Sequence, residues 1–332
     1  EREQRNFEEN HQIKINVVGI TNSREMKIFD NPESDFDLNN NFNTNLQKSD
    51  LKEFINSISS KNLPNLVFVD NTSSEDVVAE YSLLFNNNIS IVTCNKKGNS
   101  SSYEQYSKFK RLAKKNNVSF LYETNVGAGL PIIKTLNDLW ISGDEILKIE
   151  AILSGTISYI FNNYVGDNTF AEVVRTAQEL GYTEPDPRDD LNGMDFSRKM
   201  LILGREIGLP LEMSNVNIKD FLPEACLKAE SIPAFYEELE KHEPYFSSFK
   251  NEAENSGRKL RLIGVLEDGK INIEVQIVDA NHPFFGLSGS DNIISFTTSR
   301  YKNTPLVVKG PGAGAEVTAA GVFADLVRVT AQ

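Results

Sequence analysis

The chain has 332 residues, 39% hydrophobic and 24% charged, a soluble globular profile long enough for about two domains. With 34 Lys and Arg against 47 Asp and Glu the formal charge is −13, and no segment offers the basic patch that nucleic-acid binding requires. No apolar run approaches the roughly 20 residues that span a bilayer, the two cysteines make neither a disulfide framework nor a metal-ligand spacing, and the start, which shows no signal peptide, reads as cytoplasmic.

The first third alternates strands and helices. Ile13–Ile20 is an apolar run of strand length, the Asn-rich stretch from Asn31 to Asn45 is a polar loop, and Asp50–Ser59 has helical spacing. A strand over Leu66–Val69 ends at Asp70. A helix over Ser73–Asn86 follows, with Ser73 or Ser74 as its cap and acids in its first turn. Strand Ile89–Thr93, helix Tyr103–Asn116 and strand Ser119–Tyr122 continue a rhythm that predicts βαβ crossovers and a parallel sheet. Beyond Ile149 the pattern is mixed: a strand over Ile149–Leu153 and helices over Phe170–Leu180, Gly193–Ile207 and Ile232–Lys250. Strands over Lys259–Leu266, Lys270–Val278 and Ile293–Ser299 follow, the first two joined by a hairpin at Asp268-Gly269, and Val317–Val329 is a final helix.

Gly181–Lys199 (GYTEPDPRDDLNGMDFSRK) carries the most chemistry. Glu184, Asp186, Asp189, Asp190 and Asp195 crowd around a single Arg188, and Asp195 and Lys199 stand one helical turn apart on the same face. For an arbitrary i,i+4 pair, a surface ion bridge is the ordinary reading. The functional reading is a carboxylate cluster that recognises an ammonium group, beside a lysine that exchanges a proton. Glu123–Pro131 (ETNVGAGLP) is a glycine-bearing turn with Pro131 at the expected first position of a helix. A tight connection explains its glycines, and the sharper reading is a loop that offers carbonyls to a cation or amides to a phosphate. Gly310, Gly312 and Ala315 match G-x-G-x-x-A, but too little chain follows for a dinucleotide-binding unit, so the segment reads as a close approach beneath the last helix. The scattered His11, His242 and His282 do not suggest a zinc hydrolase.

Together these stretches resemble homoserine dehydrogenase, most of all the dehydrogenase portion of bifunctional aspartokinase–homoserine dehydrogenases. The resemblance rests on VDNTSS (Val69–Ser74), TCNKKGNSSS (Thr93–Ser102), YETNVGAGLPII (Tyr122–Ile133), ILSGTISYIFN (Ile152–Asn162), the long acidic motif, and GPGAGAEVTAAGVFADLVR (Gly310–Arg328). It implies an α/β protein: a Rossmann-type nucleotide-binding domain over residues 1–130, an α+β substrate-binding and dimerisation domain over 131–309, and a helix over 310–332 that returns to the first domain. It implies reversible oxidation of L-homoserine to L-aspartate 4-semialdehyde. Lys199 is then the proton donor or acceptor, Asp195 orients it, and Lys96 stands near coenzyme and hydroxyl. Glu184 binds the amino group, while Asp190, Thr156, Gly155 and Tyr182 line the pocket. Thr72, Lys96, Gly181 and Gly314 approach the coenzyme, and a monovalent cation, sodium or potassium, is held by Glu123, Val126, Ala128 and Leu130. A homodimer or larger homo-oligomer is implied, as is an aspartokinase upstream in the native polypeptide.

The family's first strand and glycine turn are expected ahead of Ile13, with Glu1–Asn10 as the end of the helix that follows them; roughly 15–25 residues of that unit are not in this sequence. At the tip Thr21-Asn22-Ser23-Arg24 there is no carboxylate to bind a ribose 2′-hydroxyl, and Arg24 suits a 2′-phosphate. NADP(H) is therefore expected over NAD(H), with Asn22 and Ser23 beside Arg24 at that end. The alternative is a non-catalytic dimerisation or regulatory module with an incomplete coenzyme site. An aspartate-semialdehyde dehydrogenase is disfavoured, because neither Cys94 nor Cys226 has the setting of a nucleophile.

Overall fold

A computed structural model describes residues 8–10, 12–33, 46–219 and 221–330. Two units form, one from Glu1–Gly98, Glu104–Leu121 and Phe323–Gln332, the other from Asn99–Tyr103 and Tyr122–Val322. Among the described residues no helix is long and apolar enough to cross a membrane.

The first unit holds two three-stranded sheets. In one, β1 (Val17–Thr21) pairs antiparallel with β2 (Glu25–Glu33), which pairs antiparallel with β3 (Gln47–Lys48). This corrects the expectation that the Ile13–Ile20 run joins a parallel sheet. The chain reverses at Asn22, whose Oδ1 accepts the Arg24 and Glu25 N–H groups at 2.8 Å each, and so fixes a hairpin. Asn31–Glu33 finishes β2, and residues 34–45 of the expected Asn-rich loop lie outside the described residues. Helix Leu51–Ser60, capped by Asp50, turns Phe54 and Ile58 onto Met26, Val18 and Phe68.

The other sheet is parallel: β4 (Val67–Asp70), β5 (Ser90–Thr93) and β6 (Phe120–Leu121), in that order. Tyr81, Phe85 and Phe109 of its crossovers are buried with Phe120 of β6, packed edge-to-face or tilted at 5.4–6.5 Å. Each such ring contributes roughly 1.5–3 kcal/mol of burial. The single helix expected over Ser73–Asn86 is two, Glu75–Ala79 and Tyr81–Asn86, interrupted at Glu80 just before the fully buried Tyr81.

The second unit is built on a six-stranded mixed sheet ordered β12-β11-β7-β9-β10-β8, where β7 is Ile146–Ile152, β8 Val216–Ile218, β9 Lys259–Glu267, β10 Lys270–Val278, β11 Asp291–Thr298 and β12 Leu306–Pro311. The β9–β10 hairpin turns at Asp268 and Gly269, both with positive φ, as the Asp-Gly pair predicts. Gly264 in β9 leaves room for helix Met194–Glu206, since a Cβ there would stand 2.9 Å from both Met200 and Phe196. The helix expected over Ile232–Lys250 breaks into Ile232–Lys241 and Glu243–Asn255, because Pro244 has no N–H to continue the ladder. Gly312 makes a close approach, but to β11 rather than beneath the last helix as the sequence suggested: a Cβ would fall 1.9 Å from Asn292 Nδ2. The last helix, Ala315–Val329, begins in this unit and ends in the first.

Candidate functional site

Three segments of the second unit converge where β7 ends. Ser154 caps helix Gly155–Asn163 by accepting the Ile157 N–H, so Gly155 and Thr156 form its first turn. A Cβ on Gly155 would lie 3.1 Å from the Ser290 carbonyl, so the chain passes close only because that position is bare. Helix Met194–Glu206 brings Lys199 to the same place. Its Nζ, on a side chain only 10% exposed, donates to the Leu153 carbonyl at 2.7 Å and pairs with Asp195 Oδ2 at 2.8 Å. Asp195, one turn earlier, is half-exposed and opens the cluster to solvent.

The loop between Gly181 and Asp190 closes one side. The Thr156 hydroxyl donates to the Tyr182 carbonyl at 2.6 Å, with Asp190 Oδ1 within reach at 3.1 Å, and Asp190 Oδ2 accepts the Glu184 N–H at 2.8 Å. Asp190 thus fixes the backbone of Glu184 while the Glu184 side chain stays in solvent. Burial pushes the Asp190 carboxyl up, and the neighbouring Glu184 and Asp189 charges add to this against its hydrogen bonds. The Tyr182 ring stacks on Tyr159 at 4.3 Å, and Gly181, at φ 75°, makes the turn into the loop. Arg188, which the sequence shows only as the lone cation among the acids of Tyr182–Asp195, is the loop's anchor. It grips both Asp186 oxygens through Nε and reaches the Ala229 carbonyl through Nη1. The tether at Leu153 was equally out of view, since a backbone carbonyl leaves no signature in residue type.

Gly314, also in this unit, has φ 124° and accepts the Thr318 N–H at the start of the last helix. Glu123 is buried and its two carboxylate oxygens accept the Ile133 and Lys134 N–H groups at 2.7 and 3.0 Å. The helix therefore begins at Ile133 rather than at Pro131, its first N–H groups capped by a carboxylate distant in sequence. Val126 and Ala128 are buried in the same turn, where Gly127 and Ala128 both take positive φ, and Leu130 follows. One carboxylate with several backbone carbonyls is a donor set of the hard type that an alkali cation accepts.

The other expected coenzyme contacts lie in the first unit. Thr72 is exposed just beyond the carboxyl end of β4, its N–H bonded to Asp70 Oδ1 at 2.8 Å. Lys96 opens a short helix, Lys96–Asn99, just beyond the end of β5. The carboxyl ends of adjacent parallel strands are where open α/β sheets receive ligands, so these residues fit a dinucleotide. Asn22, Ser23 and Arg24 are exposed in the β1–β2 turn.

Comparison with known proteins adds an independent line. Residues 2–123 match the family described as homoserine dehydrogenase, NAD binding domain, and residues 131–327 match the family described as homoserine dehydrogenase. The bifunctional aspartokinase/homoserine dehydrogenase 1 of Zea mays is 43% identical over 327 residues, covering 98% of this chain and 36% of that protein. The chain thus spans about a third of the length of the bifunctional relatives it matches. The homoserine dehydrogenase of Schizosaccharomyces pombe is 44% identical over 274 residues, 80% of this chain and 73% of that one. Among solved structures, a Candida auris protein of unknown function superposes with a TM-score of 0.90 at 36% identity, covering 96% of this chain and 90% of its own. A hyperthermophilic archaeal homoserine dehydrogenase in complex with NADPH shares the fold at a TM-score of 0.73 and 22% identity, covering 99% and 93%.

Proposed function

We propose that this chain, which belongs to the homoserine dehydrogenase family, interconverts L-homoserine and L-aspartate 4-semialdehyde. The observation that carries the reading is Lys199, its Nζ enclosed and held between the Leu153 carbonyl and the Asp195 carboxylate. A nicotinamide coenzyme, when bound, supplies the hydride acceptor or donor. Lys199 takes the proton of the C4 hydroxyl as the alcohol is oxidised, and returns one to the carbonyl oxygen in the reverse direction. Asp195 keeps the lysine aimed at that oxygen, and Lys96 stands at the coenzyme end. Glu184 receives the amino group of the substrate, while Gly155, Thr156, Tyr182 and Asp190 shape the pocket around it.

Residues 1–130 serve in this reading as the nucleotide-binding domain, 131–309 as the substrate-binding and dimerisation domain, and 310–332 as the segment that returns. Thr72, Gly181 and Gly314 approach the coenzyme. NADP(H) is favoured over NAD(H) because Arg24, with Asn22 and Ser23, sits in an exposed turn that lacks a carboxylate over Thr21–Arg24. Glu123 with the carbonyls of Val126, Ala128 and Leu130 would hold sodium or potassium, which would stiffen the turn. The outer strands of the six-stranded sheet, β12 and β8, leave edges that a second copy can cover, which supports a homodimer. The fused relatives support an aspartokinase upstream in the native polypeptide.

The test follows NADP⁺ reduction by absorbance on addition of L-homoserine. A homoserine-dependent signal that collapses in Lys199→Ala establishes reaction and base together. A native polypeptide that binds NADPH yet gives no signal with homoserine overturns the substrate assignment.

A further inference from the structure

Asp70 ends β4 with a carboxylate that is 1% exposed, and neutral donors alone hold it. Oδ1 accepts the Thr72 N–H at 2.8 Å, and Oδ2 accepts the Tyr81 hydroxyl at 2.6 Å and Asn95 Nδ2 at 3.1 Å. Among the described residues no Lys, Arg or His forms an ion pair with it. Burial and the Asp70 charge push the Tyr81 hydroxyl far above its usual range, so it stays protonated and donating. The same network ties together the loops that leave the parallel strands: Asn95 Nδ2 also reaches the Ser74 carbonyl at 2.9 Å, and Asn95 Oδ1 accepts the Lys97 N–H at 3.1 Å. A buried anion without a cation is costly to keep, and this one lies at the mouth of the sheet, between the Thr72 turn and the helix that opens with Lys96.

We propose that Asp70 places a fixed negative charge at the nicotinamide subsite and thereby favours the oxidised, cationic ring over the reduced, neutral one. The inference rests on the coenzyme reading given above. A bound nicotinamide coenzyme would supply the hydride that reduces the aldehyde and be left with a cationic ring, while Lys199 would provide the proton to oxygen. A carboxylate already held in place by the Thr72, Tyr81 and Asn95 donors stabilises a nearby positive charge without reorganisation and draws the bound equilibrium toward the alcohol. Asp70 acts here as a positioning residue: it holds Thr72 and Asn95 in place, and its charge acts through space.

The experiment compares equilibrium affinities without substrate, using the full-length polypeptide, NADPH fluorescence, and displacement of NADPH by NADP⁺. In Asp70→Asn the Kd of NADP⁺ rises about tenfold more than that of NADPH, whereas Asp70→Glu, which keeps the charge, holds the native ratio. Equal changes for both coenzymes in Asp70→Asn overturn the proposal and leave Asp70 as a hydrogen-bond acceptor only. Thermal melts check both variants, and if Asp70→Asn does not fold, Asp70→Ser carries the same expected shift. Absence of any NADPH or NADP⁺ binding to the unmutated protein overturns the coenzyme reading itself and the proposal with it; a shifted ratio cannot be confused with that result.

Discussion

Lys199 Nζ donates to the Leu153 carbonyl at 2.7 Å, which fastens the lysine to the residue where β7 gives way to helix Gly155–Asn163. The tether limits the positions the amine can sample and leaves Asp195 as its charged neighbour on the open side. A side chain held this way is pre-aimed, which is the condition for efficient proton transfer. Lys199→Ala should lower kcat for homoserine oxidation by about 10²–10⁴ while changing the NADPH Kd by no more than about twofold. Steady-state rates with fluorescence titration check both halves, and a parallel collapse of coenzyme binding would remove Lys199 from the chemistry.

Glu184 is positioned by its backbone, not its side chain. Its N–H is bonded to Asp190 and its side chain is exposed to solvent, open to the ammonium group that the proposed function assigns to it. A charge-assisted hydrogen bond to that group contributes about 1.5–3 kcal/mol. Glu184→Gln should therefore raise the KM for L-homoserine by about 10–150-fold and leave the coenzyme Kd in place. An unchanged KM would mean the amino group is received elsewhere.

Asp190 joins stability and function with opposite signs. Its carboxyl is raised by burial and by its acidic neighbours, so between the unfolded and folded values the folded protein holds more proton. Stability from this group is greatest below that window and falls as pH rises through it. Asp190→Asn removes the cost of the charge, so its melting temperature relative to the unmutated protein should climb from about pH 4 to pH 7. The gain should stay below about 1 kcal/mol, because the group remains partly solvated. At neutral pH kcat/KM should fall about tenfold, as one of the two acceptors that hold Thr156 and the Glu184 turn becomes an amide donor. A melting difference that shrinks with rising pH would contradict the assigned sign.

What could be read from the sequence was local. Asp195 and Lys199 share a face because 3.6 residues make a turn, and Asp268-Gly269 folds a hairpin because both positions tolerate positive φ. Pro244 interrupts a helix that looks continuous by its apolar spacing, and the signal was present but outweighed. Other features depend on distant partners. The Glu123 carboxylate that starts the helix at Ile133 lies ten residues away, which hid the start behind Pro131. The reversal at Asn22 turned an expected parallel strand into a hairpin, since Asx turns depend on which N–H groups come within reach. Leu153 and Asp70 act through a backbone carbonyl and a buried carboxylate, and no spacing rule announces either.

Arg24 offers the plainest test of coenzyme choice. It sits in the β1–β2 turn, whose geometry is fixed by Asn22 Oδ1 accepting the Arg24 and Glu25 N–H groups, so the turn does not need the guanidinium. Arg24→Asp can therefore exchange the cation proposed to meet the 2′-phosphate for a carboxylate that suits a ribose 2′-hydroxyl, with the backbone intact. Losing a charge-assisted contact and gaining repulsion should raise the NADPH Kd by about 10–100-fold. The NADH Kd should hold or fall, because its ribose carries no phosphate to repel. Fluorescence titration of the two coenzymes against one protein preparation decides the matter. Equal losses would show that the turn contributes shape rather than charge, and would remove Arg24 as the ground for proposing NADP(H) over NAD(H).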